Sequence, residues 1–477
     1  MHQALTSGLA LVALASFAGE PGRRDWPQGR RDARGTAAVE LDVEASPRPW
    51  TFSGSGRVYG YEPGMTVWSS PAIARVGDRA LLVVGSYDHD VYALDAATGE
   101  RVWKFATGGP VYSTPAIGSA GAVPLVFAAS SDRLVYALDA ATGRQVWVHA
   151  VEEFRATLGG ARLSAPCLGT SNGRDAVFVG RWVWDRSLGH PEQQGGLTAL
   201  YAADGKPAWK TELGDNEVGP AVFARVGGAG RLFAGSSNGN LYSLDADTGR
   251  LLWTRTELDA IRSAPAVFET ADGPRVVYGS KYGLVRCLDA ATGAELWAYK
   301  TGDRVMGGPA VVGDGPGQRV VVGSYDRTLY ALDASTGRPV WKYSARGGIY
   351  SSPAVAAEGK ATTVLVSAWD HALHAVDADT GAPRFTVFTG RPLWDVSGLD
   401  QSAWASPVAA KLGGQWMVFV GGYDGTLRAF PLEAASPSSR LARSDAWFWA
   451  SFPLSLVAVA ALARFLTVRS RARPDER

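Results

Sequence analysis

One segment, Asp95-Ala-Ala-Thr-Gly99-Glu-Arg-Val-Trp103, recurs along the chain, and its period limits the possible folds more than any local pattern does. Close copies end in Trp147, Trp253, Trp297 and Trp341, and weaker ones in Trp209 and Phe385. Each copy follows a small-residue-proline opening at Pro71, Pro115, Pro166, Pro220, Pro265, Pro309 or Pro353. Pro407 opens an eighth unit that stops early. Successive prolines lie 44, 51, 54, 45, 44, 44 and 54 residues apart. A chain built this way is a stack or ring of one small unit.

The first unit shows what that unit is. Pro71–Val76, Ala80–Ser86, Val91–Asp95 and Arg101–Phe105 are short runs rich in Val, Leu, Tyr and Trp, separated by Gly and Asp. No apolar period of 3.6 residues runs through them, which argues against helix. Asp95 can hydrogen-bond the backbone of its own turn, and Gly99 supplies the positive φ that a tight hairpin needs. Four antiparallel strands in roughly 44 residues make a propeller blade. The Trp at a fixed place in each outer strand is then a wedge between neighbouring blades.

The unit count closes on itself. The eighth unit has Ala405–Val408, Met417–Gly422 and Thr426–Phe430 but no fourth strand. Pro49–Gly56 resembles Val102–Gly109 but has no first three strands. The expectation is an all-β fold: a single eight-bladed β-propeller of four-stranded antiparallel blades over residues 49–433, closed by the N-terminal strand around Trp50, with no open edge at the seam. A formal charge of +1 with 19% charged residues gives no case for nucleic acid.

The two ends read differently from the repeats. Residues 1–18 have the apolar run and small-residue end of a signal peptide. Residues 19–48 form an Arg-, Gly- and Ala-rich extension expected to wrap the outside of the ring or stay loose. Residues 434–445 are a linker. Residues 446–463 carry no charge and span about 27 Å as a helix; with Phe465–Val468 they give a transmembrane helix over 446–468. Trp447 and Trp449 suit the interface, and the arginines after the span make 469–477 a cytoplasmic tail, with the propeller on the periplasmic side of an inner membrane. Cys167 and Cys287 stand where other units have Ala and read as small buried residues, not a disulfide pair.

The unit Tyr-Ala-Leu-Asp-Ala-x-Thr-Gly-x-x-x-Trp at 92–103, 136–147 and 330–341 resembles the repeat of the pyrroloquinoline-quinone-type (PQQ-like) propellers. Trp26-Pro27 and the Asp/Arg/Gly residues up to Gly35 resemble the lead-in of such proteins. The resemblance covers about residues 26–431 and implies one of two classes. One is the quinoprotein dehydrogenases, which hold PQQ and Ca²⁺ at the ring centre. The other is non-enzymatic scaffolds, such as the lipoprotein subunit of the outer-membrane β-barrel assembly machinery. Fold alone does not choose between them.

A site belongs on the face where the blade-to-blade connections open around the axis. The residue three before each opening proline gives the inner ring there: Trp68, Tyr112, Leu163, Glu217, Arg262, Met306, Tyr350 and Trp404. Tyr87-Asp88, Asp132, Asn238, Tyr282, Tyr325-Asp326, Trp369-Asp370 and Tyr423-Asp424 reach the same face, the repeated aromatic-Asp pairs being turn chemistry in the first place. Glu217 and Arg262 sit on neighbouring units and form either a rim ion pair or part of a site. Long insertions at 152–163, 181–196 and 390–402 elaborate this face, and Trp182, Trp184, Trp394 and Trp404 are its expected protein-contact anchors. The resemblance to quinoproteins would require an adjacent Cys-Cys pair and a Glu/Asn/Asp set on Ca²⁺. No Cys-Cys is present, and Glu217, Asn238 and Asp326 match no motif of that family. The expectation is therefore a non-catalytic, membrane-anchored scaffold with no cofactor, taking a protein partner or small ligand. PQQ with Ca²⁺ in a divergent oxidoreductase is the alternative, and outer-membrane protein assembly a further one.

Overall fold

The computed structural model describes residues 37–41, 43, 46–53, 69–151, 160–185, 192–214, 217–358, 361–388, 405–421 and 426–432. The signal segment, the linker, the 446–468 span and the tail lie outside them, as do Trp68, Trp394 and Trp404. Among the described residues no helix is long and apolar enough to cross a membrane.

The strands form eight separate sheets, one per repeat, each antiparallel within the repeat. Blade 1 is typical, with strands Ala72–Val76, Arg79–Gly85, Asp90–Asp95 and Arg101–Ala106 running from the axis outward. Second and third strands are buried on both faces, because each sheet is covered by a neighbour on either side. They read accordingly as continuous apolar runs such as Leu81–Val84.

The wedge has a specific geometry. In each Asp-x-x-x-Gly turn the Asp carboxylate accepts backbone N–H groups, as Asp95 does from Ala97 (2.9 Å) and Thr98 (3.0 Å). The Gly takes a φ of +77° at Gly99 and +71° at Gly381. The indole of the preceding blade lies on that Gly and donates Nε1–H to the Ala carbonyl that follows the Asp. Trp103 donates to Ala140 at 2.9 Å, Trp297 to Ala334 at 3.0 Å and Trp341 to Ala378 at 2.9 Å. Phe385, the one wedge without an N–H, faces blade 8. There the third and fourth strands come from opposite ends of the chain, so no Asp-x-x-x-Gly turn joins them and no matching carbonyl is supplied.

Blade 8 closes the ring as the repeat count requires. Trp50–Ser53 pairs antiparallel with Thr426–Pro431 as its outer strand, and Trp50 donates to Ala96 of blade 1 at 3.0 Å. The extension before Trp50 departs from the expected course. Residues Ala38–Leu41 form a strand pairing in parallel with the inner strand Val408–Leu412, with Ala38 opposite Ala409 and Leu41 opposite Leu412. Ala37, Ala38, Val39 and Val43 are buried in the core of the closing blade. The chain thus runs down the axis before it crosses to the rim, instead of wrapping outside. The inner edge of blade 8 offers a row of unpaired backbone groups, and this strand satisfies them where the other blades face the channel.

Blade 3 also departs from the pattern. The insertion over 181–196 is not a loop but a lengthened hairpin, Arg174–Asp185 with Glu192–Tyr201, and Gly160–Leu163 adds a further strand to its edge. Arg181 at its base is fully buried and ion-paired to Glu212. Cys167 and Cys287 are buried thiols outside any disulfide, with burial pushing each pKa up to about 12.

A small acid-sensitive contribution follows from blade 7. Arg384 bonds the Asp377 carboxylate at 2.6 Å and holds its pKa down at about 2. Because the folded-state value is depressed, the stabilisation is present in full above the unfolded value of about 4 and fades as pH falls from there towards about 2. In urea melts Arg384→Met is expected to cost up to about 1 kcal/mol at pH 7 and almost nothing near pH 2. Equal losses at both pH values would mean that Arg384 acts through packing.

Candidate binding face

The face carrying the blade-to-blade crossovers also carries the turns between second and third strands. These turns prove to be latches. Asp132 accepts from Tyr136 Oη (2.7 Å) of its own third strand and from Gly108 N (2.7 Å) of the incoming crossover. Asp326 does the same with Tyr330 Oη (2.7 Å) and Gly302 N (2.7 Å). Burial, and next the Asp326 carboxylate, push the Tyr330 phenol up to about 12, so it remains a donor. In blade 7 His374 replaces the Tyr: its Nε2 lies 3.0 Å from Asp370, and its Nδ1 lies 2.9 Å from Tyr343 Oη. Blade 5 has Tyr282 in place of the Asp and Arg286 in place of the Tyr. Arg286 Nε instead meets the buried Glu257 at 2.5 Å, which also accepts from Tyr278 Oη at 2.6 Å. The aromatic-Asp turns at 87–88, 325–326 and 369–370 are therefore structural, as their regularity implies; Tyr423-Asp424 lies outside the described residues.

At the centre lies an axial cavity of about 210 Å³. Every blade contributes the residues beside its opening proline, and Ala37 of the axial strand completes the lining. Three hydroxyls staple part of this ring. Gly308 N donates to Ser352 Oγ (2.8 Å), Ser352 N to Ser406 Oγ (2.9 Å), and Ser406 N to Ser70 Oγ (2.8 Å). Blades 3, 4 and 5 have Ala165, Gly219 and Ala264 at the equivalent place and cannot continue the belt.

The candidate residues separate into three groups. Arg262, Met306 and Tyr350 line the axial cavity. Glu217 does not pair with Arg262 but lies 3.9 Å from Arg162, which the sequence placed in a loop. Arg162 also stands 6.0 Å over the ring of Trp182, which is partly buried at the base of the blade 3 extension. The strand carrying Trp184 is described, its side chain is not. Tyr112, 40% exposed, stands apart near blade 1, edge-on to Tyr87 at 5.3 Å. Tyr350 is not a free surface ring: it stacks on Trp369 at 4.8 Å, with Tyr325 edge-on to both at 4.6 Å.

The fit of this centre to a quinone with Ca²⁺ can be tested on the lining. Calcium takes six to eight hard oxygen ligands, most of them carboxylates and carbonyls. No carboxylate or side-chain amide among the described residues lines the axial cavity, and the sequence has no Cys-Cys pair. Among the described residues no group of three His, Cys, Asp or Glu side chains could hold a metal. Glu217, Asn238 and Asp326 are engaged elsewhere: Glu217 beside Arg162, Asn238 on Tyr242, and Asp326 in its latch. The cavity also falls below the roughly 300–1,000 Å³ usual for small-molecule sites. The residues present do not fit the quinone-calcium pair.

Known proteins agree on the architecture. The quinohemoprotein alcohol dehydrogenase of Comamonas testosteroni superposes with a TM-score of 0.60 at 16% identity, covering 85% of this chain and 80% of that one. The computationally designed Ika8 protein does so at 0.52 and 17% identity, covering 77% and 97%. Sqt1 of Saccharomyces cerevisiae gives 0.57 at 11% identity, covering 82% and 99%. At these identities the likeness is one of fold. No curated protein matches the chain in sequence. The family model described as outer membrane protein assembly factor BamB matches residues 54–267 and 281–433, that is, nearly every blade. With its wedge tryptophans, Asp-x-x-x-Gly turns and eight closed blades, the chain belongs to this BamB-type family of PQQ-like β-propellers.

Proposed function

We propose that the protein is a non-catalytic scaffold of the bacterial cell envelope, held to the inner membrane by the 446–468 span, with the propeller on the periplasmic side and its crossover face as the contact surface. The observation that carries this reading is the axis itself. The chain's own strand Ala38–Leu41 lies along the inner edge of blade 8, and among the described residues the remaining lining offers hydroxyls and glycines without a hard-ligand set. The face around it carries a built extension on blade 3 and exposed aromatic and cationic side chains, which suit contact with another macromolecule. The family's description as an assembly factor supports an interaction role; outer-membrane protein assembly itself is a narrower reading.

One observation favours the quinoprotein alternative: Arg262 lines the axial cavity and makes no side-chain ion pair among the described residues, so it could receive a carboxylate. The two readings part in one experiment. A secreted form ending before Ser444 is titrated with PQQ and Ca²⁺ while quinone absorbance is followed, and a photo-crosslinking residue is placed at Tyr112 in membranes. The scaffold reading expects no saturable quinone binding at tens of micromolar and a discrete protein adduct. Saturable binding with dye reduction by an alcohol or sugar would overturn it.

A further inference from the structure

The near-neutral charge of the chain conceals a local imbalance on blades 5 to 7 of the crossover face. Six cations gather there by topology: Arg262, Lys281, Lys300, Arg304, Arg327 and Arg346. The carboxylates of the same sector are mostly turned inward. Asp326 is held by Tyr330 and Gly302, Asp370 by His374 and the Arg346 backbone (3.0 Å), and Glu257 is buried with Arg286 and Tyr278. Among the described residues of these blades, Asp259 and Asp303 remain nearer the surface, the latter 3.9 Å from Arg304. Lys300 stands 4.5 Å over Tyr282, which is 47% exposed, and Leu258 on the preceding crossover is 80% exposed.

Inside this cationic arc lies the aromatic floor of Tyr325, Tyr350 and Trp369. Arg304 lies 5.7 Å over the Tyr325 ring, so the floor is continuous with the arc. Tyr350 is buried and lines the axial cavity, which places the floor below the rim. The Trp369 indole Nε1–H is buried and has no hydrogen-bond acceptor among the described residues. Buried donors are nearly always satisfied, and one that is not calls for an explanation. The wedge residues Trp103, Trp297 and Trp341 differ, each donating to a carbonyl of the next blade.

We propose that this sector binds an acidic, extended peptide segment of a protein partner, its carboxylates meeting the arginine arc and an acceptor reaching Trp369. The inference rests on the scaffold reading and names the partner's chemistry. Charge complementarity selects the sign, because the cations of the arc outnumber the carboxylates left near its surface among the described residues. The recessed floor selects a chain-like ligand: a flat anionic membrane surface meets the rim cations but leaves the aromatic floor and the Trp369 donor untouched.

The test uses the full-length protein in detergent and a fluorescein-labelled peptide of Asp, Phe and Gly, with a counterpart carrying Lys for Asp. The Asp peptide is expected to raise fluorescence anisotropy saturably and to weaken steeply with salt, while the Lys peptide does not bind. Arg304→Glu with Arg346→Glu, both exposed, should weaken the Asp peptide about 30-fold or more. Trp369→Phe keeps a six-membered ring for the stack, removes the donor with its pyrrole ring and should weaken binding about 5- to 10-fold, the melting temperature showing how much of the loss is packing. Equal binding of both peptides, indifference to the charge reversal, or binding only to phosphatidylglycerol vesicles or an oligothymidine would each overturn the proposal. Failure here with a protein adduct still formed through Tyr112 in membranes sinks this site alone; failure here with no adduct through Tyr112 sinks the scaffold reading beneath it.

Discussion

Replacing Trp341 by Ala is expected to destabilise the ring by about 3–5 kcal/mol, the usual cost of removing a large buried aromatic. The side chain is 8% exposed and packs within the shared core of blades 6 and 7. It also donates to Ala378 of blade 7, so the substitution leaves that carbonyl without its partner. Two companion variants separate the parts of this loss. Trp341→Phe keeps most of the apolar area and removes the N–H, and about 1 kcal/mol is expected from it. Gly381→Ala attacks the same joint from the other side. A Cβ there falls 2.7 Å from the Trp341 ring, on a backbone whose φ of +71° favours glycine. Urea denaturation followed by tryptophan fluorescence reads all three. If Trp341→Ala costs less than about 1 kcal/mol, blade contacts elsewhere carry the ring and the wedge account is wrong.

That joint was legible in the sequence because it is written seven times and both halves sit at fixed spacing. The Trp, the Gly and the Asp recur together, and repetition turns a weak local signal into a strong one. Closure by Trp50 was legible for the same reason, as a fourth strand missing at one end and supplied at the other. Features that occur once were not. Ala38–Leu41 is four residues long, with no period to read, and its partner Val408–Leu412 lies most of the chain away. The blade 3 insertion looked like a loop because Ser187-Leu-Gly-His-Pro191 is rich in turn-forming residues; the pairing of Arg181–Asp185 with Glu192–Gly196 depends on register, which composition does not show.

The binding face was readable as a place but not as an arrangement. Taking the residue three before each proline found Arg262, Met306 and Tyr350, which do share the axial cavity. The same rule could not foresee that Arg162 takes Glu217 and leaves Arg262 open, since the competing cation comes from an insertion outside the repeat. Nor could net charge show the cationic sector. The Asp residues of the repeat count in full in a composition, yet in the fold their charge is spent on latching tyrosines and crossover amides.

Substituting Val39 by Asp is expected to cost about 3–4 kcal/mol, as much as a polar group forced into the core of a blade. Val39 lies on the axis, paired in register with Ala410 and buried in the core of the closing blade. The same segment leads into Trp50, so blade 8 is clasped on both edges by one stretch of chain: a parallel strand inside and an antiparallel one outside. An Asp at Val39 would stand in the apolar core of the closing blade, whose buried members are aliphatic and aromatic side chains. It can remain only by staying protonated or by drawing the strand out of the axis. The control is Glu40→Ala on the same strand, which removes an exposed side chain 3.5 Å from Lys411 and should change stability by less than about 0.5 kcal/mol. A segment that merely rested in the channel would detach in the Val39 variant, and the ring would keep its wild-type urea midpoint. A large loss for Val39→Asp beside a negligible one for Glu40→Ala would make the axial strand part of the fold, as the shared core of blade 8 requires, and would leave the centre of the propeller closed to anything larger than the cavity that remains.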